Sequence, residues 1–219
     1  MVRCSEDHDP LLRRPMSIHR VAPLSAPTAL ALLFTVVGRG TDWLAHRQEG
    51  DVIDLLGPLG RGFNIRPESH NLLLIAGGIG IAPMFALADE GIHRGLRLTL
   101  LLGAPTATQL YPVELLRRSV NCMVATEDGS AGRKGMVTEL LADLDDGADQ
   151  IFACGPIPMY RALAALMQSK KGEKSVQVSV EARMGCGFGG CYGCAIETRS
   201  GLRLVCKDGP VFELNDVIW

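Results

Sequence analysis

Several features that mark nucleic-acid-binding, exported or membrane-spanning proteins are missing from this sequence. Its 219 residues carry 22 basic and 24 acidic side chains in mixed order. No basic cluster is therefore present that would attract a phosphate backbone or an anionic membrane surface. The first ten residues contain three acidic side chains, where a signal peptide would have an apolar core. We expect no nucleic acid partner, no membrane partner and a cytoplasmic location.

Long uninterrupted apolar runs and an even set of cysteines are also missing. Two uncharged stretches, 21–38 and 72–88, approach the length of a membrane span, but prolines interrupt the first and glycines the second. The seven cysteines are an odd number, and four of them crowd into the last 34 residues. This distribution is unlike the disulfide framework of a secreted protein and favours a reducing compartment.

The central part of the sequence alternates short apolar runs with amphipathic segments. The runs at 72–76, 96–102, 122–126, 151–154 and 176–180 predict β-strands. The segment from Pro156 to Lys170 predicts a helix, because its apolar residues recur every three or four positions. Such alternation is typical of a parallel sheet with helices on both faces and ligands at the carboxyl ends of its strands. Residues 68–175 are therefore predicted to form one α/β domain.

Two smaller units flank this domain. Residues 1–67 contain β-type runs at 16–21, 29–37 and 52–56, and a short helix that we expect Thr41 to cap. Beyond the charged segment at Lys171–Gly172, residues 176–219 are too few to fold on a core of their own. The predicted class is α/β with β: a partial β-barrel, an α/β domain and a small C-terminal domain.

Four cysteines of the C-terminal unit have the spacing of plant-type [2Fe–2S] ligands. Four, two and eleven residues separate Cys186, Cys191, Cys194 and Cys206. The five glycines among residues 185–193 let the loop fold closely and direct backbone amides at the sulfurs. Zinc is the alternative, but structural zinc sites favour two C-x2-C pairs and this chain has one. We predict a [2Fe–2S] cluster on these four cysteines.

A glycine turn follows the first strand of the α/β domain. Gly77, Gly78 and Gly80 lie where a strand runs into a helix, an arrangement that places backbone amides against a pyrophosphate. The turn lacks the G-x-G-x-x-G fingerprint, so a purely structural turn is the alternative. Cys154, Gly155 and Pro156 end a later strand of the same sheet and should reach the same crevice. For this string the alternative is a buried cysteine before a helix.

Two polar segments of the N-terminal unit are candidates for flavin binding. Arg14, Pro15, Met16 and Ser17 form the first segment, and residues 34–41 form the second. Guanidinium and hydroxyl groups at strand ends suit a flavin's phosphates and ring edge. The alternative is an exposed arginine beside the proline of an edge strand.

In this order, the three segments resemble the electron-transfer subunits of the two-subunit, NAD-linked dihydroorotate dehydrogenases, within the ferredoxin-reductase-like superfamily. The resemblance covers residues 9–219 and is carried by the strings at 11–18, 56–63, 154–156, 181–186 and 206–212. It implies the four cysteines as cluster ligands and FAD contacts at two sets of residues. These contacts fall on Arg14, Pro15, Met16 and Ser17, and on Leu33, Phe34, Thr35, Gly40 and Thr41.

The resemblance also implies a function. A partner subunit with FMN would oxidise dihydroorotate, and electrons would pass through the cluster and FAD on this chain to NAD+, in a heterotetramer of pyrimidine biosynthesis. No residue of this chain would act as nucleophile or general base, because the cofactors carry the chemistry. The alternatives are a reductase component of a hydrogenase or oxygenase system, and a non-catalytic metal-binding module derived from such a reductase.

The sequence departs from the family pattern at two places. Thr35 stands where the family usually has an arginine, and only ten residues precede the string at 11–18 where the family has several more strands. We therefore expect an incomplete barrel that holds FAD weakly. We also expect a preference for NAD over NADP, because the loop at 103–109 lacks the basic residue that a 2′-phosphate attracts.

Overall fold

The computed structural model describes residues 1–5, 8–26, 28–112, 114, 116, 119–144, 147–169 and 174–219. Its strands and helices, in chain order, are β1 (Ile18–Ala22), β2 (Ala29–Leu32), α1 (Arg39–Ala45), β3 (Asn71–Gly77), α2 (Ile81–His93), β4 (Arg97–Ala104), β5 (Asn121–Thr126), β6 (Arg133–Lys134), β7 (Gln150–Cys154), α3 (Ile157–Ser169), β8 (Val176–Ser179), β9 (Ala195–Thr198), β10 (Gly201–Leu204) and β11 (Val211–Glu213). Short 3-10 helices cover Gly78–Gly80, Ala107–Gln109 and Val137–Asp143. No helix in these ranges is both long and apolar enough to cross a membrane.

The largest sheet has seven strands in the order β11-β8-β7-β3-β4-β5-β6. Every neighbouring pair is parallel except β11 with β8. The predicted parallel sheet is confirmed, and its five long strands begin and end within two residues of the apolar runs that predicted them. These runs locate the strands well because a strand buried on both faces is apolar along its whole length.

Helices cover both faces of this sheet. Leu72 and Leu74 of β3 point to the face that packs against Phe85 of α2. Leu73 and Ile75 point to the opposite face. The core on that face also contains Tyr160 and other residues of α3. Because β3 pairs with β4 on one side and β7 on the other, the strand order reverses between β3 and β7. In such sheets this reversal is where ligands bind.

The N-terminal region contains less β-structure than predicted. The runs at 16–21 and 29–37 shorten to the hairpin of β1 and β2, and the predicted strand at 52–56 is wrong: only an isolated bridge joins Leu55 to Val2. The physical reason is that these apolar side chains have no neighbouring strand to cover them. Val37 is 83% exposed and Val52 is 90% exposed.

The helix predicted near Thr41 is present, but the capping prediction is wrong. Gly38 precedes the first turn of α1, and Thr41 lies inside that turn. The Thr41 hydroxyl accepts hydrogen bonds from the amides of Val37 and Gly38, at 3.0 and 3.2 Å. The Thr41 side chain therefore bonds back to the loop that precedes the helix. An N-cap side chain would instead accept from amides inside the first turn.

The C-terminal region shares its core with the α/β region. Cys194, Val205 and Leu214 belong to the same hydrophobic core as Tyr160 and other residues of α3, and β11 adds a strand to the main sheet. The short unit therefore packs on an existing core, as its length requires. Lys170 and Lys171–Gly172 lie outside the described residues, and the domain limits at 67/68 and 175/176 remain predictions.

Candidate functional site

The hairpin of β9 and β10 brings the fourth cysteine to the other three. Ala195 pairs with Leu204 at the open end of the hairpin, so Cys194 precedes one strand where Cys206 follows the other. The amide of Val205 donates to the carbonyl of Cys194 at 3.1 Å, and the amide of Cys206 lies 3.4 Å from the Cys194 sulfur. An antiparallel pairing thus closes the eleven-residue gap in the ligand spacing.

Backbone amides surround the first cysteine. The amide of Gly190 donates to the sulfur of Cys186 at 3.2 Å. The amides of Phe188, then Cys191, lower the pKa of the Cys186 thiol to about 6, because they stabilise the thiolate. By contrast, burial and the neighbouring Cys194 thiol raise the pKa of Cys206 to about 11. The sulfur of Cys186 is therefore ready to bind metal, whereas that of Cys206 loses its proton only when a metal binds in the proton's place.

The four predicted ligands interact with one another. Cys186 interacts with the side chain of Cys191, and Cys206 interacts with those of Cys194 and Cys186, so the loop brings the four thiols together. Structural zinc would need four ligands around one point, whereas a [2Fe–2S] cluster takes two cysteines on each iron.

The cluster loop has a buried side and an exposed side. Cys194 and Cys206 are buried, while Cys191 is exposed. Phe188 and Tyr192, on either side of Cys191, are 64% and 69% exposed. One edge of the loop is therefore open to an electron donor or acceptor.

The structure brings the two predicted NAD segments together at the point where the strand order reverses. Ala76 of β3 pairs with Cys154 of β7, so the following residues leave the sheet side by side. A Cβ atom at Gly80 would overlap the carbonyl group of Cys154, and one at Gly77 would lie 2.9 Å from Cδ of Pro156. Close packing between the two loops requires glycine at these positions, independently of the predicted nucleotide binding.

Cys154 is a buried thiol at neutral pH. Burial, and secondly the charge of Glu181, raise its pKa to about 12. The neighbouring Tyr160 hydroxyl donates to the carbonyl of Ser179 at 2.6 Å and accepts from the amide of Gly155 at 2.9 Å. Burial also raises the pKa of Tyr160. These groups fix the crevice wall and stay protonated.

Part of the predicted flavin set lies together. The guanidinium of Arg14 donates to the carbonyl of Leu12 and packs against Gly40, where a Cβ atom would lie 2.9 Å from Nε. Ile18 pairs with Leu32, so Ser17 and Leu33 lie beside the same end of the hairpin. Met16 and Phe34 are half-buried, and Pro15 and Thr35 are exposed.

One polar residue that sequence reasoning missed connects the hairpin to the α/β region. His19 is buried, with Nδ1 3.1 Å from the carbonyl oxygen of Ala82 and Nε2 3.0 Å from the hydroxyl of Tyr111. Its ring packs on Phe85 of α2 at 4.5 Å between centroids. The available signal was a histidine at an inward position of an alternating strand.

Comparison with known proteins agrees with this geometry. Residues 74–165 match the oxidoreductase NAD-binding domain, and residues 181–218 match the iron-sulfur cluster binding domain of dihydroorotate dehydrogenase B. The structure of an NADH-dependent reduced ferredoxin-NADP oxidoreductase is similar, with a TM-score of 0.85 and 32% identity. The alignment covers 100% of this chain and 77% of the chain in that structure. The ferredoxin reductase of carbazole 1,9a-dioxygenase shares the fold, with a TM-score of 0.61 and 22% identity over 74% of this chain and 53% of its own.

Fold and site together define a ferredoxin-reductase-like electron-transfer protein with a NAD-binding domain and an iron–sulfur domain. The electron transfer subunit of dihydroorotate dehydrogenase B (NAD(+)) from Bacillus caldolyticus is 36% identical over 222 residues, which is 99% of this chain and 84% of the relative. The corresponding subunit from Bacillus cereus (strain G9842) is 37% identical over 224 residues, with the same coverage. The chain belongs to the family of dihydroorotate dehydrogenase B electron transfer subunits.

Proposed function

We propose that this chain carries electrons from dihydroorotate oxidation to NAD+ in pyrimidine biosynthesis, with a [2Fe–2S] cluster and FAD as its carriers. The proposed partner is an FMN-containing catalytic subunit, in a heterotetramer, and the proposed location is the cytoplasm. The cysteine loop supports this most directly, because it brings four thiols together and its residues match the cluster-binding domain of this enzyme.

The residues of this chain bind and position the carriers. FAD exchanges electron pairs with a nicotinamide and single electrons with an iron–sulfur cluster, which is the chemistry these groups supply when bound. Cys186, Cys191, Cys194 and Cys206 would hold the iron, with backbone amides directed at the sulfurs. Arg14 and Gly40 would form part of the flavin surface. The turn at 77–80 would present the amino end of α2 to the nucleotide pyrophosphate.

Reconstitution tests this proposal. The chain is loaded anaerobically with iron, sulfide and FAD, combined with the FMN subunit, and supplied with dihydroorotate and NAD+. We expect NADH absorbance to rise only when both proteins are present. The Cys191→Ala variant should form no NADH, and Cys122→Ala, outside the ligand set, should behave as the native chain. Fully loaded proteins that form no NADH would overturn the proposal.

A second candidate function is a reductase component that serves a different redox partner. It is favoured by the structural similarity to NADH-dependent reduced ferredoxin-NADP oxidoreductase. The same assay distinguishes the two functions when reduced ferredoxin replaces dihydroorotate and the FMN subunit. NADH formed with ferredoxin but not with dihydroorotate would favour the second candidate. A chain that binds metal but neither FAD nor NADH would indicate a non-catalytic module.

A further inference from the structure

Two sequence strings to which the proposed function assigns no role, apart from the ligand Cys206, meet in the structure. The first is Leu56–Phe63, and the second is Cys206–Phe212, of which only the first residue is a ligand. The amide of Arg61 donates to the carbonyl of Gly209, and the amide of Val211 donates to the carbonyl of Arg61 at 3.3 Å. Arg61 and Pro210 form an isolated parallel bridge. We call residues 59–61 and 209–211 the Gly60 junction.

The Gly60 junction depends on a backbone approach that only glycine permits. Gly60 has φ +72°, and a Cβ atom there would overlap the carbonyl oxygen of Gly209 and lie 3.0 Å from Cδ of Pro210. Any side chain at this position would have both the left-handed strain and the overlap with rigid backbone. Gly62 lies two residues further on. A Cβ atom there would have no other atom within 4 Å, and its φ lies outside the left-handed region. The two glycines therefore form a matched pair for substitution.

One side of the junction contacts the cluster loop. Gly209 follows Cys206 by three positions. Gly187, next to Cys186, packs on the N-terminal region, where a Cβ atom would lie 2.8 Å from Cγ of Met1 and 3.3 Å from Cδ1 of Leu59. The neighbours of two cluster cysteines, on different segments, thus rest on the same short stretch of the N-terminal region.

The other side of the junction is connected to the flavin surface by backbone hydrogen bonds. The amides of Val2 and Arg14 each donate to the other's carbonyl at 2.8 Å. The amide of Leu56 donates to the carbonyl of Met1 at 2.9 Å, and the amino terminus donates to the carbonyl of Leu56 at 3.0 Å. A short path of paired backbone therefore runs from Arg14 through residues 1–2 to residue 56, three positions before Leu59.

We propose that the Gly60 junction sets the separation between the flavin surface and the cluster loop, and that Gly60 is a positioning residue for electron passage between them. This inference rests on the proposed function, since it requires both carriers on this chain. Electron transfer between two separated carriers slows steeply as the distance between them grows. A side chain at Gly60 that pushes the segments apart should therefore slow this single step.

The test compares Gly60→Ala with Gly62→Ala in the loaded chain, mixed anaerobically with NADH in a stopped-flow instrument. NADH delivers a hydride, which is two electrons and one proton, to the flavin, and the cluster can take one of those electrons. We expect Gly60→Ala to bleach the flavin at the native rate and to reduce the cluster several-fold more slowly. Gly62→Ala should match the native chain in both phases.

Two further measurements separate positioning from a merely structural role. Hydrogen exchange at the Arg61 and Val211 amides, which donate the junction hydrogen bonds, should accelerate in Gly60→Ala and stay native in Gly62→Ala. The paramagnetic signal of the chemically reduced cluster should be identical in all three chains. Faster exchange together with native cluster reduction would overturn the proposal, as would an equal slowing of the flavin phase.

A second variant covers the case in which Gly60→Ala does not load. Leu59→Ala removes the side chain that contacts Gly187 and introduces no overlap, and Leu59 is 37% exposed. It should slow cluster reduction by a smaller factor, and a native rate in this variant would also count against the junction. If the native chain itself passes no electron from NADH to the cluster, the proposed function fails. Equal rates of cluster reduction in the native and variant chains would instead overturn only the proposal on the junction.

Discussion

The α/β region and the N-terminal region contrast in how their apolar residues are used. In β3 the five residues from Leu72 to Ala76 are all buried, because helices cover both faces of the sheet. In the N-terminal region Leu11, Val37 and Val52 are 71%, 83% and 90% exposed. A buried strand is specified by its own sequence, whereas these exposed apolar residues add little to the core.

The largest expected effect is complete loss of the cluster while the α/β region stays folded. Cys191→Ala removes an exposed ligand that contributes nothing to the sheet core. We expect iron content and the paramagnetic signal of the cluster to disappear, because three thiolates do not complete the ligand set. The thermal unfolding of the α/β region should stay within a few degrees of the native value. Unfolding of the whole chain in this variant would contradict the separation.

A pair of core and surface substitutions sharpens the comparison of the two regions. Leu74→Ala removes a fully buried side chain in β3 and should lower the free energy of unfolding by about 2–5 kcal/mol. Val52→Ala removes a side chain that is 90% exposed and should change it by about 0.5 kcal/mol or less. Urea unfolding of both variants measures this. Similar losses would show that the N-terminal region is packed in solution.

The exposed apolar residues of the N-terminal region also predict weak flavin binding. A surface formed by one two-stranded hairpin leaves much of a flavin in contact with water, so it positions the ring poorly. We expect the isolated chain to show less than one FAD per cluster after gel filtration. The flavin-to-iron ratio of the purified chain is the measurement. Tightly held, stoichiometric FAD would disprove this.

Within the cluster loop, the half-buried Cys186 and the buried Cys206 should differ in thiol reactivity. In the metal-free chain, the pKa of Cys186 is lowered to about 6 by backbone amides, so its thiolate predominates above that pH. The pKa of Cys206 is raised to about 11 by burial, so it remains a thiol at neutral pH. Alkylation followed by mass spectrometry should modify Cys186 at pH 7 and spare Cys206. Equal labelling at pH 7 would contradict the assignment.

The smallest expected effect concerns the choice of nucleotide. The loop after β4 lacks basic residues, and its Ala107 amide donates to Ser130, whose hydroxyl in turn donates to Asp128 at 2.6 Å. A carboxylate beside this loop disfavours a 2′-phosphate by charge repulsion. We expect NADH to reduce the flavin faster than NADPH does. In Asp128→Ala the ratio of these two rates should fall by a few-fold. Equal use of the two nucleotides by the native chain would refute this.

The sequence predicted what depends on local patterns. Apolar runs located five of the seven strands of the main sheet, and cysteine spacing predicted the four cluster ligands. Local patterns carry no information on long-range backbone contacts, so the meeting of Gly60 with Gly209 and the pairing of Val2 with Arg14 and Leu55 could not be foreseen. The run at 52–56 looks like a strand, but a strand needs a partner, and only a single bridge forms there.

One measurement tests the central claim, that the chain passes electrons from dihydroorotate to NAD+ through its cysteine loop. The loaded chain is mixed anaerobically with the FMN subunit and dihydroorotate, frozen at intervals, and examined by electron paramagnetic resonance before and after NAD+ is added. We expect the reduced-cluster signal to appear with dihydroorotate and to fall as NADH forms. A cluster that stays oxidised while NADH forms, or that is reduced without any NADH formation, would contradict the account.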